Sequence, residues 1–374
     1  MGLAGATEWN QWLGGPGRTL SAEGRGTGDQ PPTLSERWRR PLGSGFAGLS
    51  IWDTNAITAM TDRKQDHALL LNPETGGERW RVPLGRTKKR AEGTPPGPLS
   101  TPAIDAEAVY VQALDGRFLC LEIGSGKLRW ELEVKRTLKA YEPGYGFASS
   151  PLLLGDLVVL VPAGSTKASV TALDRRTGEV RWQAALGTAT EYSSATFAKL
   201  GEAPQIVAAL GSKVVGLAAL DGRVLWEVGD VTGGLWTPSI LANGHVFLPL
   251  AQETQVRELA GRGSRLVWSS AVFEGVMGPV VEIQGLLVGH HQRRLTAVDA
   301  ATGEQVWRLP NEADGQIVAY GRWLVFVNDR AGRIELLAVD RQGATVLRSQ
   351  AVIKPTRMET PLTVAGDTVF LRSP

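Results

Sequence analysis

The chain holds a single cysteine, Cys120, among 374 residues, so no disulfide can form within it. Sparse cysteine suits a reducing cytosol or an export route that avoids mispairing, and does not choose between them. Cys120 lies between Leu119 and Leu121 in a stretch that reads as strand, which makes it a buried, inert thiol. Histidine is scarce too. His67 and His245 flank hairpin turns, and the neighbours His290 and His291 would point to opposite faces of one strand. Two ligands without a third do not build a zinc site, so no metal is expected. No run of eighteen apolar residues exists, which excludes a membrane-spanning helix. The opening MGLAGATEWNQWLGG lacks a basic leader and a long apolar stretch, so no signal peptide is visible, and the chain reads as non-secretory or already mature. Net charge is also missing: 40 basic residues face 38 acidic ones, a formal +2. Nucleic acid is therefore not an expected partner. No GxSxG, HExxH, P-loop or EF-hand pattern occurs, and GSGFAG and TGGLWT read as turn glycines.

What the chain does have is glycine, 45 of them, and a repeat. ALLLNPETGGERWRV from Ala68, RFLCLEIGSGKLRWELEV from Arg117, SVTALDRRTGEVRWQAAL from Ser169 and RRLTAVDAATGEQVWRLP from Arg293 share one plan. Each is an alternating apolar strand, a turn, and a second strand with Trp four residues after Gly. The pairs are Gly76 with Trp80, Gly126 with Trp130, Gly178 with Trp182, Gly222 with Trp226 and Gly303 with Trp307. Trp268 ends a copy with a disturbed turn, Leu347 replaces Trp after Gly343, and Trp38 fills the place on an orphan strand near the start. Successive markers lie about 39 to 52 residues apart, a spacing that signals a propeller, solenoid or array. Strand periodicity throughout excludes helical repeats. Four short strands per unit, as in STPAID, AVYVQA, RFLCLEI and KLRWELEV, make a propeller blade.

In LDRRTG the Asp174 carboxylate can accept backbone N–H bonds while Gly178 supplies a positive φ. Trp182 then stands on the outer strand as a wedge against the next blade. Seven units run from about Gly48 to Ser349, and the tail ETPLTVAGDTVFLRSP adds two inner strands. Joined to the strand around Trp38, the tail completes an eighth blade and leaves no open edge. The expectation is an all-β, eight-bladed propeller of four-stranded antiparallel blades over 35–374, closed by both chain ends, after an extended arm over 1–34. The third strand of the last blade is absent after Pro374, so either the chain is cut short or the arm substitutes for it.

These residues resemble the PQQ-like repeat superfamily, whose repeats carry an ALD-x-x-TG-x-x-x-W core. Its members include quinoprotein alcohol dehydrogenases and the non-catalytic outer-membrane assembly lipoprotein BamB. The head, EWNQWLGGPGR followed by ERWRRPLGSGFAG, is similar to exported PQQ-binding-like propellers, which implies a periplasmic or other extracytoplasmic location. The family's dehydrogenases hold the quinone on the channel axis beneath a vicinal disulfide and beside a Ca²⁺. One cysteine cannot form that disulfide, so PQQ-dependent dehydrogenase activity is disfavoured and no cofactor is expected.

Connectivity supplies a candidate face. In a four-stranded blade the loops joining strands one to two and three to four share one face, and here they are tight. The opposite face carries the long segments 85–98, 134–150 and 351–360. Function usually resides on loops set on a rigid scaffold. The rim expected there combines Tyr141, Glu142, Tyr145, Phe147, Tyr192, Trp236, Arg357 and Glu359, fringed by Lys88, Lys89, Arg90 and Lys139. Aromatics beside charges suit a protein or polysaccharide partner, bound by a propeller that is monomeric by itself. A hydrolase or lyase using Glu142, Arg357 and Glu359 is the alternative, and a quinone or metal sensor a third reading. Trp9 and Trp12 in an otherwise polar arm point to its docking on the propeller.

Overall fold

The computed structural model describes residues 9–14, 21–22, 30–88, 95–188, 191–200, 203–229, 237–241, 244–250, 252–260, 263–273, 280–291, 294–310, 315–354 and 360–373. Seven sheets of four consecutive antiparallel strands follow one another along the chain, and the seventh gains a fifth, parallel strand, Ser21–Ala22, on its inner edge. Blade one is built from Ser50–Trp52, Asn55–Thr61, Gln65–Leu71 and Glu78–Arg86. The first strands of the next six blades are Ala103–Ile104, Leu152–Leu154, Thr196–Leu200, Ser239–Ile240, Val280–Ile283 and Ile317–Tyr320. The eighth sheet is a hairpin of Thr363–Ala365 and Thr368–Phe370. First strands of neighbouring blades touch around an axis, and Thr363 Oγ1 donates to the Leu49 carbonyl at 2.7 Å to close the ring against blade one. The architecture is the all-β, eight-bladed propeller.

The repeat's Trp and Gly hold one blade to the next. Trp130 Nε1 donates to the Arg175 carbonyl at 3.0 Å, in the turn of blade three. Gly178 in that turn has φ +76, and a Cβ there would lie 2.6 Å from the Trp130 ring. Left-handed backbone and the indole's approach each demand glycine. Trp80 to Ile123, Trp182 to Ala219, Trp268 to Ala300 and Trp307 to Asp340 repeat the bond at 2.7 to 3.1 Å. Trp226 departs from the pattern: its Nε1 donates to Gln205 Oε1 inside its own blade at 2.9 Å.

A bulge accompanies the outer-strand Trp of each of blades one to six. In blade three Ala172 pairs with Trp182 and Leu173 with Val180, leaving Arg181 as the extra residue. Blade seven corrects the sequence alignment: Leu336 pairs with Arg348 and Leu337 with Val346, so Leu347 is the bulge and Arg348 takes the ladder position of Trp. The turn between Asp340 and Gly343 is shorter than LDRRTG and shifts the ladder by one residue, while Leu347 still packs against the core and Arg348 is exposed.

Two expectations about the closing blade also change. Residues 31–43 form no regular strand, yet Trp38 still reaches across, donating to the Pro73 carbonyl at 2.8 Å and lying over Gly76. It meets the tail through Phe370, with ring centroids 6.2 Å apart. Head and tail therefore close the ring by packing, without a shared ladder. The described arm does not supply the missing strand either. Trp9 bridges to Ile51, and Ser21–Ala22 run parallel to Ala319 and Tyr320, on the first strands of blades one and seven.

Candidate functional site

The face that carries the long connections is built from the same geometry. Strands one of all blades start there, and hydroxyl side chains at those starts tie blade to blade. Gly48 N donates to Thr101 Oγ1, Thr101 N to Ser150 Oγ, Ser150 N to Ser194 Oγ and Ser194 N to Thr237 Oγ1, at 2.9 to 3.0 Å. This belt fixes five blades at the channel mouth. It was missed in the sequence, where its signal was a Ser or Thr before Pro at Thr101, Ser150 and Thr237.

Above the belt, the connection from blade two to blade three begins with a one-turn helix, Val134–Thr137. Val134, Leu138 and Phe147 are buried together with Ala163 and Ala168. Phe147, expected on the rim, is therefore a core anchor. Apolar burial of these three residues pins the loop at both ends and leaves the polar-tipped aromatics outside.

Tyr141 and Tyr145 are each 47% exposed and Tyr192, on the connection from blade three to four, is 37% exposed. Tyr141 lies across Gly164, where a Cβ would collide with its ring, and its hydroxyl donates to Glu191. That acceptor keeps the Tyr141 phenol protonated by raising its pKa above the usual tyrosine value. Tyr145 N donates to the Tyr192 hydroxyl at 3.3 Å, and their rings stand 6.0 Å apart at 59°. Two connections thus hold three tyrosines in fixed poses on the surface.

Glu142 sits among them but is not a free carboxylate. Lys88 and Lys135 both bond to it, and the first of these is the main cause of its lowered pKa. A general acid would need the opposite shift. Lys139 is exposed at the edge of this loop, with a left-handed φ of 55°. Trp236, Arg357, Glu359, Lys89 and Arg90 lie outside the described residues. The structure brings together Tyr141, Glu142, Tyr145 and Tyr192, joined by Lys88, Lys135 and Glu191, which the sequence did not single out as their partners. No group of three or more His, Cys, Asp or Glu side chains able to hold a metal is found among the described residues. Cys120 is buried inside blade two, and Trp9, Gln11 and Leu13 are buried against the first strands.

The sequence model of the family described as outer membrane protein assembly factor BamB matches residues 64–309 and 291–374. The structure of BamB from Moraxella catarrhalis superposes with a TM-score of 0.61 at 14% identity, covering 85% of this chain and 90% of that one. The quinohemoprotein alcohol dehydrogenase ADHIIG from Pseudomonas putida HK5 gives 0.66 at 12% identity, over 96% and 74%. At such identities these likenesses speak for the fold. In sequence, the serine/threonine-protein kinase AfsK of Streptomyces griseus is 37% identical over 115 residues, 31% of this chain and 13% of the kinase. The chain thus spans a small part of that relative's length.

Proposed function

The chain belongs to the family of the outer membrane protein assembly factor BamB, and from that membership we propose that it is a non-catalytic binding and scaffolding propeller of the cell envelope. Its partner is a protein, held on the long-connection face at the rim of blades two to four.

The observation that carries this reading is the tyrosine trio. Tyr141, Tyr145 and Tyr192 are exposed yet immobilised by Glu191, by each other and by the buried anchors beneath them. Tyrosine at a rigid site offers large contact area at low entropic cost, which is why it is enriched where proteins meet. Glu142, Lys88 and Lys135 add a polar border around the aromatic centre. The quinoprotein relatives share the ring, and fold alone does not carry their chemistry here.

A photo-crosslinking side chain placed at Tyr145 tests the reading. It should trap one protein partner in envelope preparations, while the same group at Leu220, exposed in a turn on the opposite face, should not. Equal trapping at both positions would refute a partner on the long-connection face.

A further inference from the structure

The first strand of each blade turns an edge toward the axis, and an open strand edge is a template for another stretch of chain. In blades one to three that edge is occupied by residues 9–14 of the same chain. Trp9 and Ile51 exchange both backbone hydrogen bonds, at 3.1 and 2.8 Å, as in an antiparallel ladder. Ile104 N donates to the Asn10 carbonyl at 2.9 Å. Leu153 N donates to Gln11 Oε1 at 2.5 Å. Three consecutive residues therefore take one N–H each from three consecutive blades.

Ile51 and Ile104 lie three residues beyond the belt residues Gly48 and Thr101, about 10 Å deeper along strands that rise about 3.3 Å per residue. The segment thus sits toward the end of the channel that faces the tight turns, away from the tyrosine rim. Trp9 is 2% exposed and packs with Leu13 into the core shared by blades one, six, seven and eight. The seat is imperfect. Asn10 Oδ1 is buried with no hydrogen-bond partner among the described residues, and Leu13 is held at a left-handed φ of 65°. A segment that fits by ladder bonds and one aromatic anchor, yet carries an orphaned amide and a strained residue, is one that a better-fitting strand can replace.

We infer that this axial groove is a peptide-binding site, filled in cis by the chain's own N-terminal segment. In trans it takes an extended peptide with an aromatic residue two positions before a glutamine. Backbone N–H groups of Ile51 and Ile104 read the extended main chain, the buried place of Trp9 takes the aromatic ring, and Leu153 N reads the glutamine. The site is separate from the tyrosine rim, and neither depends on the other. Because the resident segment is tethered, it competes at an effective concentration on the order of millimolar, so the intact protein excludes a free peptide at micromolar levels.

The test uses the full chain and a fluorescein-labelled synthetic peptide of residues 7–14, TEWNQWLG, followed by fluorescence anisotropy. The wild type should leave the peptide free, and the Trp9→Ala plus Gln11→Ala variant should bind it at least about tenfold more tightly. A peptide with alanine at both corresponding positions should not bind. Circular dichroism establishes that the variant is folded; should the double variant fail to fold, Gln11→Ala alone, which keeps the Trp9 anchor, takes its place. A folded variant that ignores the peptide would overturn the inference. So would a wild type that binds the peptide as well as the variant does.

Discussion

Arg372, two residues past the last strand, donates from Nη1 to the carbonyl of Ala59 at 2.5 Å, 313 residues earlier in the chain. The same guanidinium also donates to the Ala47 and Gly43 carbonyls and to Thr58 Oγ1. Only 3% of Arg372 is exposed, and burial pulls its pKa down to about 10, which still leaves it protonated at neutral pH. It is a clasp between tail and blade one, made to backbone rather than to an acid. Arg372→Ala strands several buried carbonyls and should cost about 3 kcal/mol, read as a lowered denaturant midpoint. Arg372→Lys keeps the charge but loses the fork and should fall between.

Ser150 does double service in the belt, accepting from Thr101 N and donating its own N–H to Ser194 Oγ. Ser150→Ala removes the acceptor and leaves the Thr101 N–H buried and unpaired. The expected loss is about 1–3 kcal/mol in equilibrium unfolding, with no change in the rim's capture of partner.

Cys120 tests the packing of blade two. Burial pushes its pKa up to about 12, so almost no thiolate exists at pH 8. A thiol reagent should leave the native protein unmodified for hours and react with it promptly once denatured.

The rim has a pH signature of known sign. Ion pairing, to Lys88 first, lowers the Glu142 pKa below its ordinary 4.5. The pair's contribution is therefore full above about pH 4.5 and is lost as pH falls through the lower folded value. With about a third of each side chain exposed, the pair is worth less than about 1 kcal/mol. Acidification from pH 6 to pH 3 should change the near-ultraviolet circular dichroism of the rim tyrosines in wild type and change it less in Glu142→Gln.

The blades were legible because their signals are periodic. Gly178 and Trp182 announce a turn and an outer strand from their spacing alone, and the face carrying the long connections follows from strand order. Arg348 shows the limit: a shortened turn shifts the ladder by one residue, and counting from Gly343 picks Leu347 instead. Phe147 shows another. Irregular loops have no period, so nothing in YEPGYGF separates the buried ring from the exposed Tyr141 and Tyr145. The pairing of Glu142 with Lys88 spans 54 residues and needed the fold to bring it about. Two tryptophans hint that the arm docks, but the place of Trp9 on the axis beside Ile51 depends on contacts 42 residues apart that no local pattern encodes.

Recognition at the rim stands or falls with its tyrosines. Once the crosslinked partner is in hand, its binding isotherm should be measured against wild type, Tyr145→Ala plus Tyr192→Ala, and Val346→Ala on the outer edge of blade seven. A hot-spot pair predicts at least about a tenfold loss for the tyrosine double variant, with Val346→Ala unchanged. Equal affinity for all three proteins would contradict the rim as the site of recognition.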